Sequence, residues 1–183
     1  MARIPYITKA NLSADDQDLL ARDLNIYKAI ANSPGGARNF GRMGRYIRYE
    51  SPLDTRLREL AILQVGYLTR SLYEYSHHIE IGRDFGVTDD DLAALAEESA
   101  GRESELEPLA RWVLKAAREM TTDLAISEET YAALAQDLDS ECLTDLVLTI
   151  GFYNGVVRIL ASLEIDVEEG YLKYLDEFPL PAE

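Results

Sequence analysis

Residues 59–78 read ELAILQVGYLTRSLYEYSHH, and a helical hairpin follows from them. Between Leu60 and Leu68 the only strongly polar residue is Gln64, which predicts a helix buried on most sides with Glu59 at its edge. A short turn at Arg70 precedes a second helix, predicted from about Ser71 to Phe85. On a helical wheel, Leu72, Tyr75, Ile79, Ile81, Gly82 and Phe85 share one broad face. Ser76, His77, Glu80, Arg83 and Asp84 share the other, so His77 is expected to be solvated. Tyr73 falls on that polar side. Ser71, Glu74 and His78, spaced i, i+3, i+7, form one stripe within the apolar face.

A carboxylate and an imidazole on an apolar face are unfavourable unless paired. Glu74 and His78 can pair across one turn. Burial raises a carboxylate pKa and a nearby opposite charge lowers it, with the signs reversed for histidine. Groups shifted in this way suit general acid–base chemistry near neutral pH. Folding back at Arg70 would bring Glu59 to the same place. Periodicity alone does not separate a catalytic pair from a satisfied polar pair in a core. Glu74-Tyr75-Ser76-His77 also spells the Glu-x-x-His of di-iron bundles, but those use two such motifs. The two histidines here are adjacent, so no metal centre is expected.

Outward from the hairpin the pattern stays helical. Ser13 followed by Asp15 and Asp16 predicts a helix to about Ala31, stopping at Ser33-Pro34-Gly35-Gly36. The segment Ala37–Tyr49 carries Arg38, Arg42, Arg45 and Arg48, a basic island. Gly86 suits a left-handed helix end, and Thr88-Asp89-Asp90-Asp91 caps the next helix. Further helices are predicted over about 106–120, 127–136 and 140–163. The tail from Ile165 is expected to be an arm over the surface or a neighbour. No alternating strand pattern is present, so the fold class is all-α.

The 183 residues suit one domain. Thirty-three acidic residues against 18 basic ones leave a net charge of −15. Such a field repels phosphate backbones and anionic lipid, so nucleic acid and membranes are not expected partners. The single cysteine, Cys142, excludes an intrachain disulfide or a CxxC pair. The N-terminus opens no signal-peptide pattern, and polar residues interrupt the apolar stretch 143–163, so a cytoplasmic location is the expectation.

Arg58-Glu59-Leu60-Ala61-Ile62-Leu63, Tyr73-Glu74-Tyr75-Ser76-His77-His78 and Gly86-Val87-Thr88-Asp89 together resemble the carboxymuconolactone decarboxylase family. Its wider superfamily includes alkylhydroperoxidase-D-like proteins, whose peroxidases carry a Glu, a CxxC and a His in a fixed frame. Glu59 and His78 match that Glu and His; Ser71 and Glu74 stand where the cysteines would be. Serine and glutamate cannot cycle through a disulfide, so thiol peroxidase activity is rejected.

The resemblance implies an alkylhydroperoxidase-D-like helical bundle over one domain, with a core motif at 55–95. It implies a homo-oligomer, trimer or hexamer, and the apolar helices 60–68 and 143–163 suit a need for partner surface. It further implies a lyase without cofactor or metal, acting on a small unsaturated carboxylated lactone or related organic acid. His78 would protonate the product carbon, Glu74 would tune it, and Glu59 would orient it or relay protons. Arg45 or Arg58 would hold the substrate carboxylate, with Ser71 and Tyr73 as further substrate contacts. The alternative is a ligand-binding or stress-associated oligomer that keeps the scaffold without decarboxylase activity.

Overall fold

The computed structural model describes residues 2–181. Nine α-helices follow one another among them: α1 Asn25–Ile30, α2 Pro34–Tyr49, α3 Thr55–Leu68, α4 Leu72–Asp84, α5 Asp89–Ser99, α6 Pro108–Thr122, α7 Glu128–Leu134, α8 Ser140–Leu163 and α9 Glu169–Glu177. No strand occurs among the described residues.

The central element is α3. Asp54 caps it by accepting from the Leu57 N–H, and every residue from Leu57 to Tyr67 is buried. It packs against α4, α6 and α8. Gln64, its one strongly polar interior residue, is satisfied by a hydrogen bond to Ser99 Oγ at 2.9 Å. Residues 60–68 are therefore consumed in this chain's own core, apart from the half-buried Leu68, rather than left as partner surface.

The hairpin to α4 is tight. Arg70 takes a left-handed conformation (φ 54°), and Ser71 caps α4 by accepting from the Glu74 N–H. Gly66 of α3 lies so near Tyr75 that a Cβ there would meet the Tyr75 backbone N at 3.1 Å. That closeness brings Glu59 into register with His78. At the far end Gly86 (φ 97°) turns the chain, and Thr88 with Asp91 forms a capping box for α5.

Two expectations are corrected. The segment 14–31 is not one helix: a 3-10 helix, Ala14–Leu20, is separated from α1 by residues 21–24. Ser33-Pro34-Gly35-Gly36 does not stop a helix but starts one, with Pro34 in the first turn of α2, where its missing N–H has no helical role. The tail, expected as an arm over the surface or a neighbour, contains a helix, α9, that docks on α4 of its own chain.

That docking explains the wheel's main error. Tyr73 and His77 are covered by α9 and its N-cap rather than by water, whereas Glu80 stays exposed. His77 stacks between Tyr73 (4.0 Å) and Tyr171 (3.6 Å), and Tyr174 Oη donates to Glu80 at 2.6 Å. Tyr73, Ser76 and His77 are all buried, whereas Leu72 is 53% exposed. Helix α8 begins and ends where the sequence predicts. By length and composition it could cross a membrane, but its inner rows pack on α3 and α6.

Candidate active site

His78 is buried, and both its ring nitrogens face carboxylates. Nδ1 lies 2.6 Å from Glu59 Oε2, and Nε2 lies 2.9 Å from Glu74 Oε1. The α3–α4 hairpin supplies the first contact and one turn of α4 the second. A neutral imidazole has one N–H, so donating to both carboxylates requires imidazolium, or else a proton held by one of the acids. Burial pushes the imidazole toward its neutral form, but the two carboxylates outweigh it and the His78 pKa is raised. Burial likewise favours the acid form of Glu59, yet His78 and Arg58 hold its carboxyl below the usual range. The hairpin thus encloses a mobile proton between two acids and one base.

Beside this clamp lies a cavity of about 500 Å³ between α2, α4 and α8. Glu74 and His78 line it; Glu59 does not and stands behind the imidazole. Tyr153 of α8 meets His78 edge-on at 5.0 Å, and α2 contributes Arg38, Arg42, Arg45 and Arg48 to the lining. The basic island of an acidic chain therefore faces the cavity.

The remaining expected site residues divide. Arg58 does not line the cavity. It is 1% exposed, its Nε and Nη2 donate to Glu59 Oε1 at 3.1 and 2.9 Å, and its Nη1 donates to the Arg48 carbonyl at 3.0 Å. Its guanidinium also lies 4.4 Å from the centre of the Phe85 ring. Arg58 thus positions other residues and is not free to bind substrate. Arg45 lines the cavity mouth, exposed and paired with Glu50 at 2.9 Å. Ser71 caps α4 and does not line the cavity, so its place in the stripe is structural. Tyr73 does line it, but its hydroxyl is engaged with Glu168 at 3.1 Å.

His77, expected to be solvated, is the hub of a second buried pair. Its Nε2 lies 2.8 Å from Glu168 Oε2, and Nδ1 lies 2.7 Å from the Tyr73 carbonyl. Arg48 and Tyr153 are cavity residues that the sequence reading did not single out. Arg48 shares a stripe with three similar arginines, and Tyr153 lies in an apolar helix where aromatics are ordinary core.

The model of the carboxymuconolactone decarboxylase family matches residues 34–119, which span α2 to α6 and hold Glu59, Glu74 and His78. Over that core the chain is similar to this family. The chain also shares its fold with solved structures. A peroxidase-related protein of Ralstonia eutropha with an alkylhydroperoxidase AhpD core matches with a TM-score of 0.76 and 18% identity, over 93% of this chain and 94% of that one. The debrominase Bmp8, in a substituted form bound to 2,3,4-tribromopyrrole, gives 0.77 and 18%, over 97% and 100%. An Agrobacterium tumefaciens protein described as a putative antioxidant defence protein AhpD gives 0.64 and 17%, over 76% and 94%. No curated protein matches.

Within the matched segment Ser71 and Glu74 hold the hairpin positions compared above with CxxC. Cys142 lies in the first turn of α8, does not line the cavity, and has its thiol pKa pushed up by burial. The site therefore contains no dithiol. Among the described residues no group of three or more histidines, cysteines and acids is arranged to hold a metal ion.

Proposed function

We propose that this protein is a cofactor-free carboxy-lyase acting on a small unsaturated acid, with proton transfer through Glu59, His78 and Glu74. One observation carries the reading: an imidazole clamped between two carboxylates at the wall of an arginine-lined cavity. In the reaction the bond from the substrate carbon to its carboxylate breaks and CO2 leaves. The electron pair delocalises toward a conjugated carbonyl, and a proton then arrives at carbon, so that R–CO2⁻ and H⁺ become R–H and CO2.

The clamp refines the assignment of roles. Because both His78 nitrogens are occupied, His78 acts through Glu74, the outer carboxyl at the cavity. Glu74 takes a proton from Nε2 and delivers it to carbon, while Glu59 and Arg58 keep the imidazole charged and oriented. A positioned acid of this kind contributes roughly 10²–10⁴-fold in rate. Homo-oligomerisation belongs to the same proposal, supported by an exposed row on α8 that includes Leu148, Gly151 and Gly155.

The competing reading is a ligand-binding protein in which the clamp only satisfies buried groups, and the full pairing of His78 favours it. The two separate in a CO2-release assay on carboxymuconolactone and related unsaturated lactone acids, with wild type and His78→Asn compared. Turnover lost in a folded variant supports the lyase. No release from any substrate by wild type refutes it and leaves the binding protein.

A further inference from the structure

We infer that Arg48 is the carboxylate anchor of the cavity and that the ligand it holds is a flat, conjugated acid. This rests on the small-acid reading above and narrows it. The four arginines of α2 form one stripe, but their situations differ. Arg38 is tied to Asp16 and Asp18, Arg45 to Glu50, and Arg42 is exposed. Arg48 is half-buried and has no carboxylate partner among the described residues. Its Nε is fully buried and makes no hydrogen bond. Glu59 is near enough to interact with it electrostatically, but both Glu59 oxygens are already held, one by Arg58 and one by His78.

A buried guanidinium lacking a counter-ion is unfavourable, and a ligand carboxylate placed between its N–H donors relieves the cost. The cavity lies on the same side as the reacting groups, since Tyr153 interacts with both Arg48 and His78. Arg58 fixes the anchor by binding the Arg48 carbonyl.

The walls set the ligand's shape. Gly41 and Gly44 line the cavity from α2, and a Cβ added at either would meet no atom within 4 Å. Glycine in a helix interior is destabilising relative to alanine, and here it leaves open space at two positions of the α2 wall. Aromatic rings line the same cavity: Phe40 of α2 lies 5.0 Å from Phe152 of α8, and Tyr153 stands edge-on to Phe152. An open strip at Gly41 and Gly44 together with these rings fits a thin planar body, with its carboxylate at Arg48 and its reacting carbon toward Glu74.

Titration calorimetry with benzoate, benzamide and cyclohexanecarboxylate tests this on the full chain. Wild type is expected to bind benzoate more tightly than the other two. Arg48→Met should weaken benzoate by about ten- to a hundredfold, the worth of a charge-assisted hydrogen bond, and leave benzamide unchanged. Arg48→Lys should keep part of the benzoate preference, and Gly44→Leu should weaken benzoate and benzamide alike. Undiminished benzoate binding by a folded Arg48→Met or Arg48→Lys chain, or no benzoate binding by wild type, would each overturn the assignment. Binding is read without turnover, so an absence of CO2 release leaves this result standing.

Discussion

Nδ1 of His78 lies 2.6 Å from Oε2 of Glu59, a contact that joins α4 to α3 across 19 positions of sequence. Its two partners titrate in opposite directions. The folded pKa of His78 is raised, so its stabilisation is fully present below the unfolded value of about 6.5 and is lost as pH rises through the folded value. The folded pKa of Glu59 is lowered, so its stabilisation is present above about 4.3 and is lost as pH falls through the folded value. Thermal midpoints followed across pH should therefore be highest in mildly acidic buffer and fall on the alkaline side. His78→Asn should flatten the alkaline fall, and an unchanged profile in that variant would contradict the coupling.

Arg58 holds Glu59 Oε1 with two donors and the Arg48 carbonyl with a third. Arg58→Met should lower stability by about 3–5 kcal/mol, the usual consequence of breaking a buried ion pair. Urea unfolding measures this. A variant of native stability with only a raised KM would return Arg58 to the role of substrate ligand.

The register of the clamp depends on Gly66. A methyl group there meets the backbone N and Cα of Tyr75 at 3.1 and 3.2 Å, and backbone cannot move aside as a flexible side chain does. Gly66→Ala should cost roughly 1–3 kcal/mol by overpacking and part Glu59 from His78. Urea unfolding and the alkaline limb of the pH profile should then change together. A variant that is more stable, as helix propensity alone predicts, would show that the hairpin has slack.

The clamp was legible in the sequence because helical spacing pairs Glu74 with His78 and a short turn returns Glu59. The face of α4 opposite it was misread for a physical reason. Tyr73 and His77 look solvated on a wheel, yet Glu168 and Tyr171 supply the polar and aromatic partners that bury them, while Glu80 stays exposed and accepts from Tyr174. A polar row cannot announce whether water or another polar helix will cover it. Arg48 was hidden differently: only three-dimensional packing separates it from Arg38 and Arg45, which pair with carboxylates, and from the exposed Arg42 on the same stripe.

The most direct test of the proton path is the turnover of Glu74→Gln on an unsaturated lactone acid that wild type decarboxylates. Glutamine keeps the shape and can still accept from His78 Nε2, so the fold should lose only about 1 kcal/mol. It cannot deliver a proton as a carboxylic acid does, so kcat should fall by roughly 10²–10⁴-fold. Near-native kcat in a folded Glu74→Gln chain would contradict the account, because proton delivery would then bypass the carboxylate between His78 and the cavity.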